Sequence, residues 1–570
     1  MLRERRTARF SSSRWYASRR SSDRLSTAAL LRGWAFVALG VSALGCFKPD
    51  DGREPPLDRI YFPTGLALST DGDRLYVANS DWDLQFNAGS VQAYDASRLR
   101  ELLPRACNVD SDCTGPDEIC DTPANADGAS LGVGGTYWCM DATTRDVCRG
   151  LGVQSVGDRL IQPGLCGAVD NRNPELQVAS VGIGAFATDL IYRPSTVEGG
   201  RLFVPVRSDA TLHWLDVPAG AIAGSGRELE CGQGTGRDCD ANHRRGDGAN
   251  EETPSGSGLP IEPYAVAAST DGETIVLSHQ TEGKVSLFTN EWAAGAEGGP
   301  KLSYVLENLG GRPVHISAVP IPLVALLDRA PGGPRQLGYQ PGYWVTFRGS
   351  SFVQLLRYFD QSDSPTGQPF LERAVVDAIT TTLSSDVRAM AIDDAARRAC
   401  ELGCGTDLNC LGECSRMPLP VYLANRAPVS TSLSAPGSLL IGSTTSIRRA
   451  EPSNDRLLIS DLVAIDDGPS RVSVGQIRDE RGQPRRRVFL TSFDSNVVTI
   501  FDPEARVVDA RVPVGRGPTA LVVDDAHSLA YVAHFTDSYI GVIDLDARHA
   551  SFGTLILALG NPTAPRGDDR

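Results

Sequence analysis

From Asp58 onward the chain is built of short apolar-rich runs separated by turn residues, with the period of strands rather than helices. Residues 62–95 read FPTGLALSTDGDRLYVANSDWDLQFNAGSVQAYD. A proline opens an alternating run, Asp71-Gly72 supplies a tight turn, a hydrophobic-aromatic run follows, and a third run ends in Asp95. Residues 514–546, VGRGPTALVVDDAHSLAYVAHFTDSYIGVIDLD, repeat that order. The opening strand recurs near Pro63, Phe186, Pro263, Pro313, Val387, Pro469 and Pro518. Second strands follow as RLYVAN, RLFVPV, TIVLSH, YWVTF, VYLAN, RVFLTS and LAYVAH. Fourth strands are expected at LQVASVGIG, LSYVLENLG, AVVDAITTTL, VVDARVPVG and TLILALG. A sheet of three or four such strands cannot bury both faces alone, so the copies must stack around an axis.

Tyr76-Val77-Ala78-Asn79 nearly spells the signature of the YVTN repeat, and the turn-strand order around it resembles that family of bacterial β-propellers. The seven copies and this resemblance imply an all-β fold, a seven-bladed β-propeller over residues 58–559, with disulfide-rich loop insertions. Seven blades of about 45 residues leave a large remainder for insertions. These are a Cys-rich segment at 99–174, a Gly-rich acidic one at 218–260, a Pro/Gly-rich one at 320–340 and a helical hairpin at 395–418. Residues 560–570 read as a disordered tail. An open sheet edge invites aggregation, so either Thr554 to Leu559 or Asp58 to Phe62 is expected to cap the last blade.

Of thirteen cysteines, twelve lie in clusters within the insertions. Clustered, even-numbered cysteines in an exported chain read as disulfides. Cys107, Cys113, Cys120, Cys139, Cys148 and Cys166 allow fifteen pairings, among which spacing does not choose. Cys231 and Cys239 flank one short loop. Cys400, Cys404, Cys410 and Cys414 form an i, i+4 pair on each arm of a helical hairpin. Antiparallel arms imply Cys400–Cys414 and Cys404–Cys410, resembling a twin CX3C hairpin. A four-thiolate metal site is the rival reading, against which stand the missing CxxC spacing and the expected export; neither a metal nor another cofactor is expected.

The export expectation comes from the N-terminus. Residues 33–45, GWAFVALGVSALG, follow an Arg- and Ser-rich lead. Such a stretch is short of the roughly 20 apolar residues that span a bilayer and suits a signal peptide. Ala43-Leu44-Gly45-Cys46 resembles a bacterial lipobox, with Ala43 where that motif prefers Leu. The resemblance implies a signal peptide at 1–45, acylation of Cys46 with fatty chains such as palmitate, and a tether at 46–57 that is polar and Pro-rich. Phe47 is not the Asp that retains some lipoproteins at the inner membrane, which points to the outer membrane, on its periplasmic or surface face.

Charge narrows the partners. Residues 1–45 carry nine Arg against Glu4 and Asp23, a net of +7; the remaining 46 basic and 68 acidic residues give −22, for −15 overall. So acidic a body does not seek nucleic acid through bulk charge. The expected contacts are the membrane, through the anchor, and a protein or small ligand in the envelope.

No HExxH, GxSxG, Walker A or CxxCH motif occurs, and no catalytic residue stands out. Asp238-Cys239-Asp240-Ala241-Asn242 begins like a calcium loop, but His243 stands where Gly is needed. The best surface comes from aligned second-strand ends: Asn79, Arg207, His279, Arg348, Asn425, Arg426 and His534. Strand ends of a propeller share a rim, so these could hold an anion, or they could cap turns and pair with rim Asp. Function is therefore read as a lipid-anchored binding or scaffolding module. The alternatives are a propeller enzyme (a lactonase-like hydrolase or metal-dependent oxidase using the rim) and a surface structural or adhesive protein.

Overall fold

The structure is a computed structural model. It describes residues 53–122, 137–152, 165–195, 199–219, 228–232, 238–246, 253–254, 256–292, 298–329, 338–361, 364, 366–374, 386–426, 437–448 and 456–562. The expected signal peptide, Cys46 and the first part of the expected tether lie outside these residues, as does most of the expected C-terminal tail. The described residues all belong to one compact unit, Gly52–Arg570. No helix among them is long and apolar enough to cross a membrane.

Seven four-stranded antiparallel sheets form a propeller, and an eighth, three-stranded sheet sits in the Cys-rich insertion. The inner strands are Pro63–Leu68, Ile191–Pro194, Pro263–Ala268, Pro313–Ala318, Val387–Ile392, Pro469–Arg478 and Pro518–Asp524. Each packs beside the next, and the seventh packs beside the first. The repeated sequence builds repeated geometry. Ser69-Thr70-Asp71-Gly72 and Ser269-Thr270-Asp271-Gly272 make the same turn. In both, the glycine N–H donates to the serine carbonyl (3.0 and 2.9 Å) and the glycine takes a positive φ (+75° and +68°), which a side chain would strain.

The core is divided as radial stacking requires. Seven buried apolar clusters occur, one in each interface between neighbouring blades. Each fully buried Leu, Val or Phe in them contributes about 1.5–3 kcal/mol.

A bulge marks the start of six inner strands. The register skips between Pro63 and Gly65, Pro263 and Val266, Pro313 and His315, Val387 and Ala389, Pro469 and Arg471, and Pro518 and Ala520. A bulged residue leaves the ladder and re-aims its side chain. Here hydroxyls at or near these bulges, with Thr188 just ahead of the second blade's inner strand, stitch one blade to the next: Thr64 Oγ1 donates to the Ala187 carbonyl (2.9 Å), Thr188 Oγ1 to Tyr264 (2.6 Å), Ser470 Oγ to Pro518 (3.3 Å) and Thr519 Oγ1 to Pro63 (3.0 Å). The last of these crosses the seam between the seventh and first blades.

Leu555–Leu559 forms the outer strand of the seventh blade. Residues 57–62 join no sheet. Instead the Leu57 and Arg59 carbonyls accept from Gln92 Nε2 at 2.9 Å each, which ties this segment across the first blade. The far edge of Leu555–Leu559 is covered by the Cys-rich insertion, through Val169 N–H to the Ala558 carbonyl (2.8 Å) and Gly560 N–H to the Val169 carbonyl (2.9 Å). Pro55 and Leu57, at the end of the expected tether, are buried.

One outer strand differs from expectation, and two stand in blades for which none was expected. The fourth blade ends in Phe370–Arg373, one segment before AVVDAITTTL, most of which lies outside the described residues. The second blade has only Arg244–Arg245, and the fifth has Leu458–Ala464. Outer strands touch a single neighbour and carry weak patterning.

The disulfides are Cys107–Cys120, Cys113–Cys139, Cys148–Cys166 and Cys231–Cys239, with Cys400–Cys414 and Cys404–Cys410 in the hairpin as its spacing predicts. The hairpin arms are Ala395–Cys404 and Leu408–Cys414, the second capped by Asp407. The three disulfides within 107–166, the Cys231–Cys239 loop and the hairpin all sit in links between first and second or between third and fourth strands. Antiparallel order places every such link at one end of the ring. The bulged residues mark the other end.

Candidate functional site

At the bulged end the seven inner strands surround an axial cavity of about 400 Å³. Each blade supplies one wall residue at or just before the start of its inner strand, at the bulge in six of the seven: Thr64, Thr188, Tyr264, Val314, Arg388, Ser470 and Thr519. The residues just past the second strands supply the rim, among them Arg207, Gln280, Arg348, Arg426, Phe493 and Phe535.

Five guanidiniums therefore reach the cavity from four blades. Arg207 pairs with Glu262 (2.8 Å), Arg388 with Asp386 (2.8 Å) and Arg426 with Asp494 (2.6 Å). Arg471 crosses the axis from the sixth blade, meeting Asp189 of the second (3.2 Å) and His315 Nδ1 of the fourth (3.0 Å). Arg348 is exposed on a turn of the fourth blade, and no carboxylate pairs with it among the described residues.

The crossing pair forms a floor. Burial pushes the Asp189 carboxyl up even though Arg471 opposes it. Burial, with the Arg471 charge beside it, pushes the His315 imidazole down to about 3. His315 is thus neutral at pH 7. Its Nδ1 accepts from Arg471, so the proton resides on Nε2, which donates to the Met390 carbonyl (3.0 Å).

Aromatic rings line the opposite arc. Trp82 and Phe535 meet edge-to-face with centroids 5.7 Å apart, Phe535 lies 6.3 Å from Phe493, and Trp82 lies 5.5 Å from Phe186.

The residues singled out from sequence divide in two. Arg207, Arg348 and Arg426 line the cavity. Asn79, His279, Asn425 and His534 do not; they are buried inside their blades. Successive strand residues face opposite ways, and these four stand one position before the rim. Their work is structural. The Asn79 Oδ1 accepts from Tyr61 N–H (3.0 Å) and the Asn425 Oδ1 from Asp386 N–H (3.3 Å). The His279 Nδ1 bonds the Ile261 carbonyl (3.2 Å) and its Nε2 the Ser286 hydroxyl (2.8 Å). In each case the end of a second strand pins the chain just before the inner strand. His534 stacks on Tyr539 at 4.1 Å. Burial holds His279 and His534 at about 3, so both are neutral. Arg388, Arg471 and Trp82 were missed from sequence; the signal for the first two was their place one or two residues after the opening of an inner strand.

Among the described residues, the groups with metal-like spacing are cysteines already joined in disulfides. Asp240, in the aborted calcium loop, caps its own turn by accepting from Asn242 and His243 N–H.

The sequence matches no protein-family model and no curated protein. Among solved structures it is similar to the hydrazine synthase of Kuenenia stuttgartiensis, at 11% identity over 88% of this chain and 98% of that one, with a TM-score of 0.41. A candidate 6-phosphogluconolactonase of Bacteroides uniformis gives 11% identity over 80% and 87%, with a TM-score of 0.40. The periplasmic gluconolactonase of Pseudomonas aeruginosa gives 13% over 80% and 86%, with a TM-score of 0.38. These are loose likenesses, from which neither substrate nor site transfers to this chain.

Proposed function

We propose that this propeller is a binding module of the bacterial cell envelope, held by a lipid on Cys46, that takes a small anion into its axial cavity. The carrying observation is Arg348. Four of the five cavity guanidiniums have carboxylate partners (Glu262, Asp386, Asp494 and Asp189), which leaves one cation unmatched among the described residues in a concave site. Guanidinium recognises carboxylate or phosphate through paired hydrogen bonds. The carboxylate and imidazole in the cavity floor, Asp189 and His315, are committed to Arg471 and, for the imidazole, to the Met390 carbonyl, so neither is free to act as the base that hydrolysis would need. That favours binding over the lactonase-like alternative. The insertions at the other end leave a separate surface for a protein partner, which suits a scaffold.

The test is calorimetric titration of the purified chain with inorganic phosphate, sulfate and simple carboxylates. At least one binds, and Arg348→Ala weakens it by roughly ten-fold or more, as a charged hydrogen bond implies. Because Arg348 is exposed, the variant keeps its stability within about 0.5 kcal/mol. Absence of binding by every anion overturns the reading.

The anchor has its own check. Cells fed labelled palmitate incorporate label into this chain, and Cys46→Ser loses the label and leaves the membrane fraction. Labelling that persists in the variant removes Cys46 from the proposal.

A further inference from the structure

The two arcs of the cavity differ in chemistry, and that difference names a ligand class. Trp82 of the first blade, Phe535 of the seventh and Phe493 of the sixth form a contiguous aromatic arc. In a ring of seven, the first blade faces the boundary between the fourth and fifth. Those are the blades that supply Arg348, Arg388 and Arg426. A cation with no carboxylate partner among the described residues thus stands across the cavity from a row of rings.

Trp82 is itself unusual. It is 48% exposed, although its ring already touches Phe535 and Phe186 at their edges. A large ring left half in water at the mouth of a concave site offers a face to stack on. The stitching hydroxyls of Thr64, Thr188 and Thr519 are committed to backbone carbonyls, so the wall between the arcs has few free donors for a polyhydroxy ligand.

Resting on the anion-binding reading above, we infer that the cavity selects a ring-bearing organic carboxylate, an aryl acid whose carboxylate meets Arg348 while its ring lies against Trp82 and Phe535. No bond is made or broken; the site holds the molecule.

The experiment compares phenylacetate, acetate and inorganic phosphate on the full chain, by calorimetry and by tryptophan fluorescence. Phenylacetate is expected to bind roughly ten-fold tighter than acetate, the upper end of what one aromatic contact supplies, and to change the fluorescence. Trp82→Leu brings phenylacetate to the level of acetate, the ratio of the two affinities being the readout. Phe535→Leu does the same in part and serves if Trp82→Leu folds poorly. Equal binding of phenylacetate and acetate, both lost in Arg348→Ala, overturns the aryl-acid inference while the anion site survives. A ring preference that persists in both aromatic variants also overturns it. Binding of none of the three probes sinks both readings.

Discussion

Replacing Arg471 by leucine lowers folding stability at pH 7 by about 3–5 kcal/mol, the range for removing one member of a buried ion pair. Arg471 meets Asp189 at 3.2 Å across the axis, with both side chains mostly shielded from water. Leucine leaves the carboxylate behind in the floor of the cavity with no counter-charge, and leaves His315 Nδ1 without its donor. The deficit depends on pH, and its sign follows from the direction of the Asp189 shift. That carboxyl already sits above the ordinary aspartate value because of burial, and loss of the guanidinium drives it higher. A folded state that holds a proton more tightly than the unfolded one gains stability as pH falls. The penalty is therefore largest at neutral pH and shrinks as pH falls toward the ordinary value of about 3.9. Urea unfolding at pH 7 and pH 5 checks both parts. Asp189→Asn added to Arg471→Leu restores much of the loss at pH 7. A penalty that is flat across pH, or untouched by the second substitution, shows that Arg471 acts by packing alone.

Removing the Cys148–Cys166 disulfide, by alanine at both positions, is expected to cost about 2–5 kcal/mol. The two residues are separated by 18 in sequence and are fully buried in the cluster that joins the seventh and first blades. That cluster includes Val147, Val169 and Leu559, so the bond anchors the strand-covering segment as well as shortening the unfolded chain. The Cys404–Cys410 bond is the contrast, because it closes only six residues on a half-exposed hairpin. Thermal unfolding of the two double-alanine variants should rank them in that order. Equal midpoints for wild type and Cys148→Ala/Cys166→Ala would show that the seam holds without the bond.

The ring could be read from sequence because inner and second strands must satisfy neighbours on both sides. Pro63 and Pro518 open copies whose alternation and turns agree, and the structure places a strand at both. Outer strands have one neighbour, and there the reading slipped at Phe370–Arg373 and offered no strand for Arg244–Arg245. The hairpin pairing followed from helical spacing; the six cysteines at 107–166 sit in irregular chain and had no period to follow. The site was half legible. Aligning second strands found Arg207, Arg348 and Arg426, but the same alignment also chose Asn79 and His279, whose side chains turn the other way. A single residue reverses the face of a strand, and a bulge shifts the register once more, which is why Arg388 stayed hidden.

The clasp at Val169 also dictates when the molecule can be finished. Thr519 and Pro63, joined across the seam, are 456 residues apart. Contacts between such distant parts of a chain form slowly. Until Leu555–Leu559 has been synthesised and docked, the first blade shows a bare apolar wall. Until Val169 reaches it, that last strand is an unpaired template for a second molecule. The nascent protein is in effect an open spiral with two sticky ends, and its yield is set by a race between the circle closing on itself and one spiral joining another.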